Sequence, residues 1–411
     1  MAVIKPFRAL YPDPAVAHLV ASVPYDVVSR GEAEMFSKDN PLSFLRVTRS
    51  EIEMSGHVDP YSKEVYQKAK ENLERLKISA PLRQEDVGKF YIYRLIMNGR
   101  PQTGIAATFS VEDYNKDVIL KHEKTRKIKE DDRTNHIITT EAQTGPVFLT
   151  YHGVDEINEV VELTMKNTKP LFDFTAKDRI RHTIWIMPDD YKDIIDFEIG
   201  NVKNLYIADG HHRAASASRV QRVLKENSVT HTGDEEYNYF LAVLFPAEQL
   251  EILPYNRAVF KLSNYTNESF LKKVSENFSI EETNNPIPPA KGSFAMYLGS
   301  KWYLLKPNNN VVPGESIGEH LDVSILQKFL LKPVLGIEDP RTDSNIDFIG
   351  GIRGTEELEK IVNSGKGQAA FSMYPVNVED LIKISDAGEI MPPKSTWFEP
   401  KLRDGLLVHL I

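Results

Sequence analysis

Residues 202–220, VKNLYIADGHHRAASASRV, constrain this chain more than any other stretch. Residues 205–208 are a short apolar run that reads as a buried strand. Asp209-Gly210 then forms a tight turn, and small, helix-compatible residues follow from His211. A strand, a glycine turn and a helix in immediate succession imply a mixed α/β (α+β) fold, with a ligand site expected at the carboxyl end of the strand. Gly210 lets the backbone turn sharply or approach a ligand closely. The first turn of the helix presents N–H groups and a positive dipole end to an anion such as phosphate. Asp209 can cap the helix or hold a metal ion, while His211, His212 and Arg213 add polar contacts at one point of the fold. The bland alternative is a solvated turn capped by Asp209, which the apolar strand before it disfavours. A transition-metal site is disfavoured too, because adjacent helical histidines point about 100° apart.

With 411 residues the chain is long enough for two domains. A polar loop at residues 264–267 suggests the break, giving regions 1–262 and 263–411. Residues 90–97 and 102–110 read as strands joined by Asn98-Gly99, a strong hairpin signal. Residues 44–48 alternate like a strand, residues 61–77 have the charge pattern of a surface helix, and residues 237–245 (YNYFLAVLF) read as helical. No stretch approaches the length of a membrane helix. The N-terminus lacks the apolar core of a secretory signal, so the cytoplasm is the expected location. The absence of cysteine excludes disulfides, thiolate zinc sites and a cysteine nucleophile. A net charge of −9 makes nucleic acid an unlikely partner.

Residues 120–140 are dense in both charge signs. Within them Glu123 can act as a general base if it is buried, Lys124, Arg126, Lys127 and Lys129 can neutralise phosphate oxygens, Asp131, Asp132 and Arg133 extend the polar array, and Thr125 can cap a helix. The alternative for such a run is a solvated helix face. Tyr25 and Asp26 form a polar turn after Pro24, and Asn256 with Arg257 follows a strand-like segment. Lys394, Ser395 and Thr396 sit in a proline-stiffened loop, readable as a lid or as a core seal. Ser395 has no nucleophile elbow around it. The glycine-rich GGIRG at 350–354 lacks the lysine and spacing of a phosphate loop.

The segments PYDVVS, HEKT with the later DDR, IADGHHRAASA, PYNRAVF and MPPKSTWFEPK resemble a widespread bacterial and archaeal family described as a domain of unknown function. The DGHHR segment also resembles the nucleotide-binding turn of the ParB/sulfiredoxin superfamily, which includes free-serine kinases. That resemblance implies a ParB/sulfiredoxin-like core over region 1–262, with the proline-rich loop in a further α/β region. It implies a small-molecule kinase using ATP or ADP with Mg²⁺, and L-serine as the acceptor. Glu123 would be the base, Asp209 and His211 would act at the reacting centre, and Asp209 would help hold Mg²⁺. Gly210, His212, Arg213, Lys124, Thr125 and Arg133 would hold the nucleotide phosphates. Tyr25, Asp26, Lys394, Ser395 and Thr396 have no counterpart in the shorter kinases and leave the acceptor open; with Asn256 and Arg257 they are candidate substrate-binding residues. The alternatives are a nucleotide-binding regulatory or DNA-associated protein, and a nucleotide or phosphoester hydrolase.

Overall fold

A computed structural model describes residues 2–411. The fold is mixed α/β, and the chain divides into two units. The first comprises Met1–Lys121, Thr125–Leu250 and Pro400–Ile411; the second comprises His122–Lys124 and Glu251–Glu399.

A 9-stranded sheet organises the first unit. Its strands are β1 (Ile4–Lys5), β2 (Tyr91–Met97), β3 (Arg100–Ser110), β4 (Ile119–Leu120), β5 (Val147–Tyr151), β6 (Phe172–Thr175), β7 (Arg181–Ile186), β8 (Leu205–Asp209) and β9 (Tyr239–Pro246). Their order is β4-β8-β5-β9-β3-β2-β7-β6, with β1 paired to β3. Asn98 and Gly99 both take positive φ (51° and 81°), which lets Met97 pair with Arg100 across the two-residue hairpin that the sequence predicts. The helices are α1 (Lys63–Ser79), α2 (Lys127–Thr140), α3 (Asp155–Asn167), α4 (Lys192–Asn201) and α5 (His211–Asn227). Helices α3 and α4 pack over β1, β2 and β7, while α5 packs on β5, β9 and α2. Ile92, Phe109, Leu149, Ile207, Ala214 and Leu244 share one buried core.

Two local expectations are corrected. Beyond a single 3-10 turn at Glu236–Asn238, residues 237–245 are strand rather than helix: β9 lies between β3 and β5, buried on both faces. A continuous apolar run carries no period that separates strand from helix, and the two flanking strands decide it. Residues 44–48 are not a strand but end in a helical turn, Leu45–Thr48. Phe44, Leu45, Val47 and Thr48 are all buried, which is helical rather than alternating spacing.

The second unit carries a six-stranded antiparallel sheet. Its strands are β10 (Tyr255–Val259), β11 (Phe278–Thr283), β12 (Phe294–Leu298), β13 (Lys301–Pro307), β14 (Ile346–Gly350) and β15 (Ala369–Met373). They run in the order β11-β13-β12-β15-β10-β14. Helix α6 (Asn267–Val274) packs on β11, α7 (Gly354–Asn363) packs on β12, β14 and β15, and α8 (Val378–Asp386) lies nearer the C-terminal end. Because β10 pairs with β14 and β15, the PYNRAVF segment belongs to this unit, and the division falls at Leu250. Among the described residues no helix is long and apolar enough to cross a membrane.

Candidate functional site

The first four residues of β8 are buried, and its pairing with β5 slips between Ile207 and Asp209. Such an irregularity at a strand end re-aims the next side chain. Gly210 then takes φ 89°, a conformation that costs a side-chain-bearing residue strain, and α5 starts at His211. Asp209 Oδ1 accepts from the Gly210 N–H at 2.9 Å. Ala214 and Ala217 are small enough to seat the helix in the core, which brings its first turn, the end with outward N–H groups and a positive dipole, to the end of β8.

Charged groups from distant parts of the chain meet at this turn. Lys401 Nζ lies 2.9 Å from Asp209 Oδ2. Arg213 donates from Nη1 to the Pro146 carbonyl and holds Nη2 3.8 Å from Asp26 Oδ1. Helix α2 contributes Arg133, whose guanidinium stacks 4.0 Å from the Tyr25 ring and pairs with Asp132 at 2.9 Å. Tyr25, Arg133, Arg213 and Asp404 line one small cavity of about 30 Å³. The buried face of α2 is therefore polar: Asp132, Arg133, Thr134 and His136 all point inward.

Burial alone would raise the Asp209 carboxyl, but Lys401 and Arg213 hold it well below the usual carboxylate range. Burial likewise works against the Arg213 cation, and Asp26, Asp404 and Asp209 more than offset it. His211 is buried, which lowers it to about 3, so it acts as a neutral imidazole at pH 7. His212 Nε2 accepts from the Arg126 N–H at 3.0 Å and so presents a lone pair there. Thr125 bonds Glu130 through its hydroxyl, within α2's first turn region.

The first unit thus brings together Tyr25, Asp26, Arg133, Asp209, Gly210, His211, His212 and Arg213, with Thr125 nearby through the Arg126–His212 bond. Glu123 and Lys124 belong to the second unit, where the His122 carbonyl accepts from Met391 N at 2.8 Å. Asn256, Arg257, Lys394, Ser395 and Thr396 are also in that unit. There Arg257 Nη2 donates to the Lys394 carbonyl at 3.1 Å, and burial lowers Arg257 to about 10. Asn256 Oδ1 accepts from Met373 N, and Ser395 Oγ donates to the Pro392 carbonyl. The Arg257 bond ties the proline-rich loop to β10, the Asn256 bond ties β10 to β15, and the Ser395 bond lies within the loop.

Sequence reasoning missed Asp404 and gave Lys401 no role. Lys401 and Asp404 stand in a C-terminal tail that returns to the first unit, where Asp404 exchanges backbone hydrogen bonds with Ser22. The Asp404-Gly405 pair, with Gly405 at φ 85°, is the only local hint of a turn there.

The turn does not fit a metal as built. Both Asp209 oxygens are engaged, by Lys401 and by Gly210. Among the described residues no group of three or more His, Asp or Glu stands ready to ligate one.

Asp404 supplies a pH signature. Burial, reinforced by Asp26, pushes its carboxyl up to about 7 against the opposing arginines 213, 133 and 403. An acid whose folded value is raised contributes stability fully present below about 4, which is lost as pH rises through about 7. Thermal melts from pH 5 to 8 should show stability declining more steeply in wild type than in Asp404→Asn. Parallel curves would remove Asp404 as the source.

The chain is similar to several solved structures at low identity. A conserved hypothetical protein from Pyrococcus furiosus is 12% identical with a TM-score of 0.37, over 75% of this chain and 95% of that one. A free serine kinase in complex with AMP is 12% identical with a TM-score of 0.39, over 75% and 92%. SbnI with a C-terminal truncation from Staphylococcus aureus is 13% identical with a TM-score of 0.40, over 74% and 87%. No curated protein matches the sequence. The family model described as "Protein of unknown function (DUF1015)" matches residues 4–324, most of the chain, so the protein belongs to the DUF1015 family.

Proposed function

We propose that the protein is a phosphotransferase with a ParB/sulfiredoxin-like core, moving the terminal phosphate of ATP or ADP to the hydroxyl of a small acceptor. One observation carries this reading. Beside a helix N-terminus behind a glycine at φ 89°, Lys401 and Arg213 are held by Asp209 and Asp26, and Arg213 shares a small cavity with Arg133, so cationic donors paired with carboxylates stand at the turn. Phosphoryl transfer depends chiefly on positioning and on neutralising charge over the transferred group, and this cluster is suited to both. The phosphorus–oxygen bond to the nucleotide breaks, a bond to the acceptor oxygen forms, and the acceptor proton passes to a carboxylate. Glu123 is the proposed base and L-serine the proposed acceptor, both on the strength of the motif resemblance. Mg²⁺ would arrive with the nucleotide rather than on Asp209, and no step is routed through it.

Phosphorus NMR of the purified protein with Mg²⁺ and ATP or ADP, with and without L-serine, tests the reading. The expected result is an O-phosphoserine signal that disappears in Asp209→Asn. In Glu123→Gln turnover should fall at least about a hundredfold while nucleotide affinity is retained. Unchanged turnover there removes Glu123 from the mechanism. Free phosphate that no acceptor alters would make the protein a hydrolase, and untouched nucleotide in every tube would overturn the proposal.

A further inference from the structure

A second and larger cavity, about 90 Å³, opens in the first unit and shares Tyr25, Arg133 and His136 with the first. It lies between the turns Leu45–Thr48 and Ser50–Glu53 on one side and helices α1 and α2 on the other. Its space is several times the roughly 10–15 Å³ that one water requires. Its lining is mostly polar, and much of the charge there is already paired into the walls. Asp132 accepts from Tyr66 Oη at 3.2 Å through one oxygen and from Arg133 Nε at 3.0 Å through the other. Arg49 gives Nε to Glu51 Oε1 at 2.7 Å and Nη1 to the carbonyls of Tyr25 and Val28.

What remains after those pairings has a definite chemistry. Thr48 is 3% exposed, and its buried hydroxyl meets no hydrogen-bond partner. Glu51, also buried, uses only one carboxylate oxygen in its bond to Arg49. Lys129 bonds the Tyr61 hydroxyl at 3.1 Å and has further N–H groups to donate. Arg133 reaches Asp132 through Nε and Nη2, which leaves Nη1. Buried polar groups are as a rule satisfied, and an unsatisfied one costs free energy. Cationic donors on α2 face a carboxylate and a hydroxyl from the turns across the cavity. A small molecule with a carboxylate at one end and an amino or hydroxyl group at the other would satisfy both sides.

We infer that this cavity, walled by Thr48, Glu51, Lys129 and Arg133, binds a small amino acid or hydroxy acid. Its carboxylate meets Lys129 and Arg133, and its amino or hydroxyl groups meet Glu51 and Thr48. That this ligand is the phosphate acceptor rests on the phosphotransferase reading; the binding itself does not.

Calorimetric titration of the full chain with L-serine, glycerate and L-alanine, without nucleotide, separates the two. Thr48→Val keeps the shape and removes a hydroxyl that has no partner, so the fold should be unharmed, and affinity should fall about five- to tenfold. Lys129→Met should weaken binding about ten- to hundredfold. In a working phosphotransferase both variants should raise KM for the acceptor and leave kcat within about twofold. Binding that is lost in these variants, in a protein with no phosphotransfer, upholds the site and sinks the acceptor assignment. Phosphotransfer with an unchanged KM in both variants, or titrations with none of the three compounds giving heat, would overturn the site, the cavity then holding water alone.

Discussion

Arg213→Ala is expected to cost about 3–5 kcal/mol of stability at pH 8, the range for leaving buried charge without its partner. The Arg213 guanidinium is the cation that Asp26, Asp404 and Asp209 share, and Asp404 is 2% exposed. Without it the Asp404 carboxyl, already at about 7, moves higher still. A raised acid gives stability that is lost as pH rises through its folded value, so the deficit of the variant should widen from pH 5 to pH 8. Urea unfolding at the two pH values measures this, and equal deficits would show that the arginine acts by packing alone. Asp404→Asn in the Arg213→Ala background should recover part of the loss at pH 8. The same variant should bind ADP about ten- to hundredfold more weakly, the worth of one charge-assisted hydrogen bond to phosphate.

What could be read from the sequence follows how local each determinant is. The hairpin at Asn98-Gly99 and the strand–turn–helix at Asp209-Gly210 were legible because one or two residues with positive φ decide them. Strand β9 was not, because its apolar run becomes a strand only through the neighbours that sandwich it. The boundary of the second unit was hidden for the same reason. Residues 264–267 look like a linker, yet β10, before them, is fixed by pairing with β14 and β15 much later in the chain.

The site divides in the same way. Gly210 through Arg213 announce themselves as a run, whereas the charges that set their electrostatics arrive from elsewhere. Lys401 and Asp404 come from the end of the chain, and Arg133 comes from a helix whose charge density looks like a solvated face. Helix α2 carries its charge inward because Asp132 and the Tyr25 ring satisfy Arg133 there, and Tyr66 donates to the other Asp132 oxygen. Sequence periodicity cannot register a buried polar face, since it reads burial from apolar residues only.

The other large effect is expected at Lys401. Lys401→Met should lower stability by about 2–3 kcal/mol at pH 7, less than a fully enclosed pair because a third of the Asp209 side chain meets solvent. Asp209 is a depressed acid, so its contribution is present above its unfolded value of about 4 and is lost as pH falls through the folded one. The gap between variant and wild type should therefore be widest near neutrality and close in acid. Adding Asp209→Asn removes the stranded carboxylate and should restore most of the stability. Turnover should behave differently. Because Asp209→Asn is itself expected to abolish turnover, the double variant reports on stability alone, and the role of the ammonium is read from Lys401→Arg. That variant keeps a cation beside Asp209, so stability should stay within about 1 kcal/mol of wild type. If the ammonium also meets the transferred phosphate, as the phosphotransferase reading requires, turnover in Lys401→Arg should still fall at least about tenfold. Wild-type turnover in Lys401→Arg would confine Lys401 to neutralising Asp209.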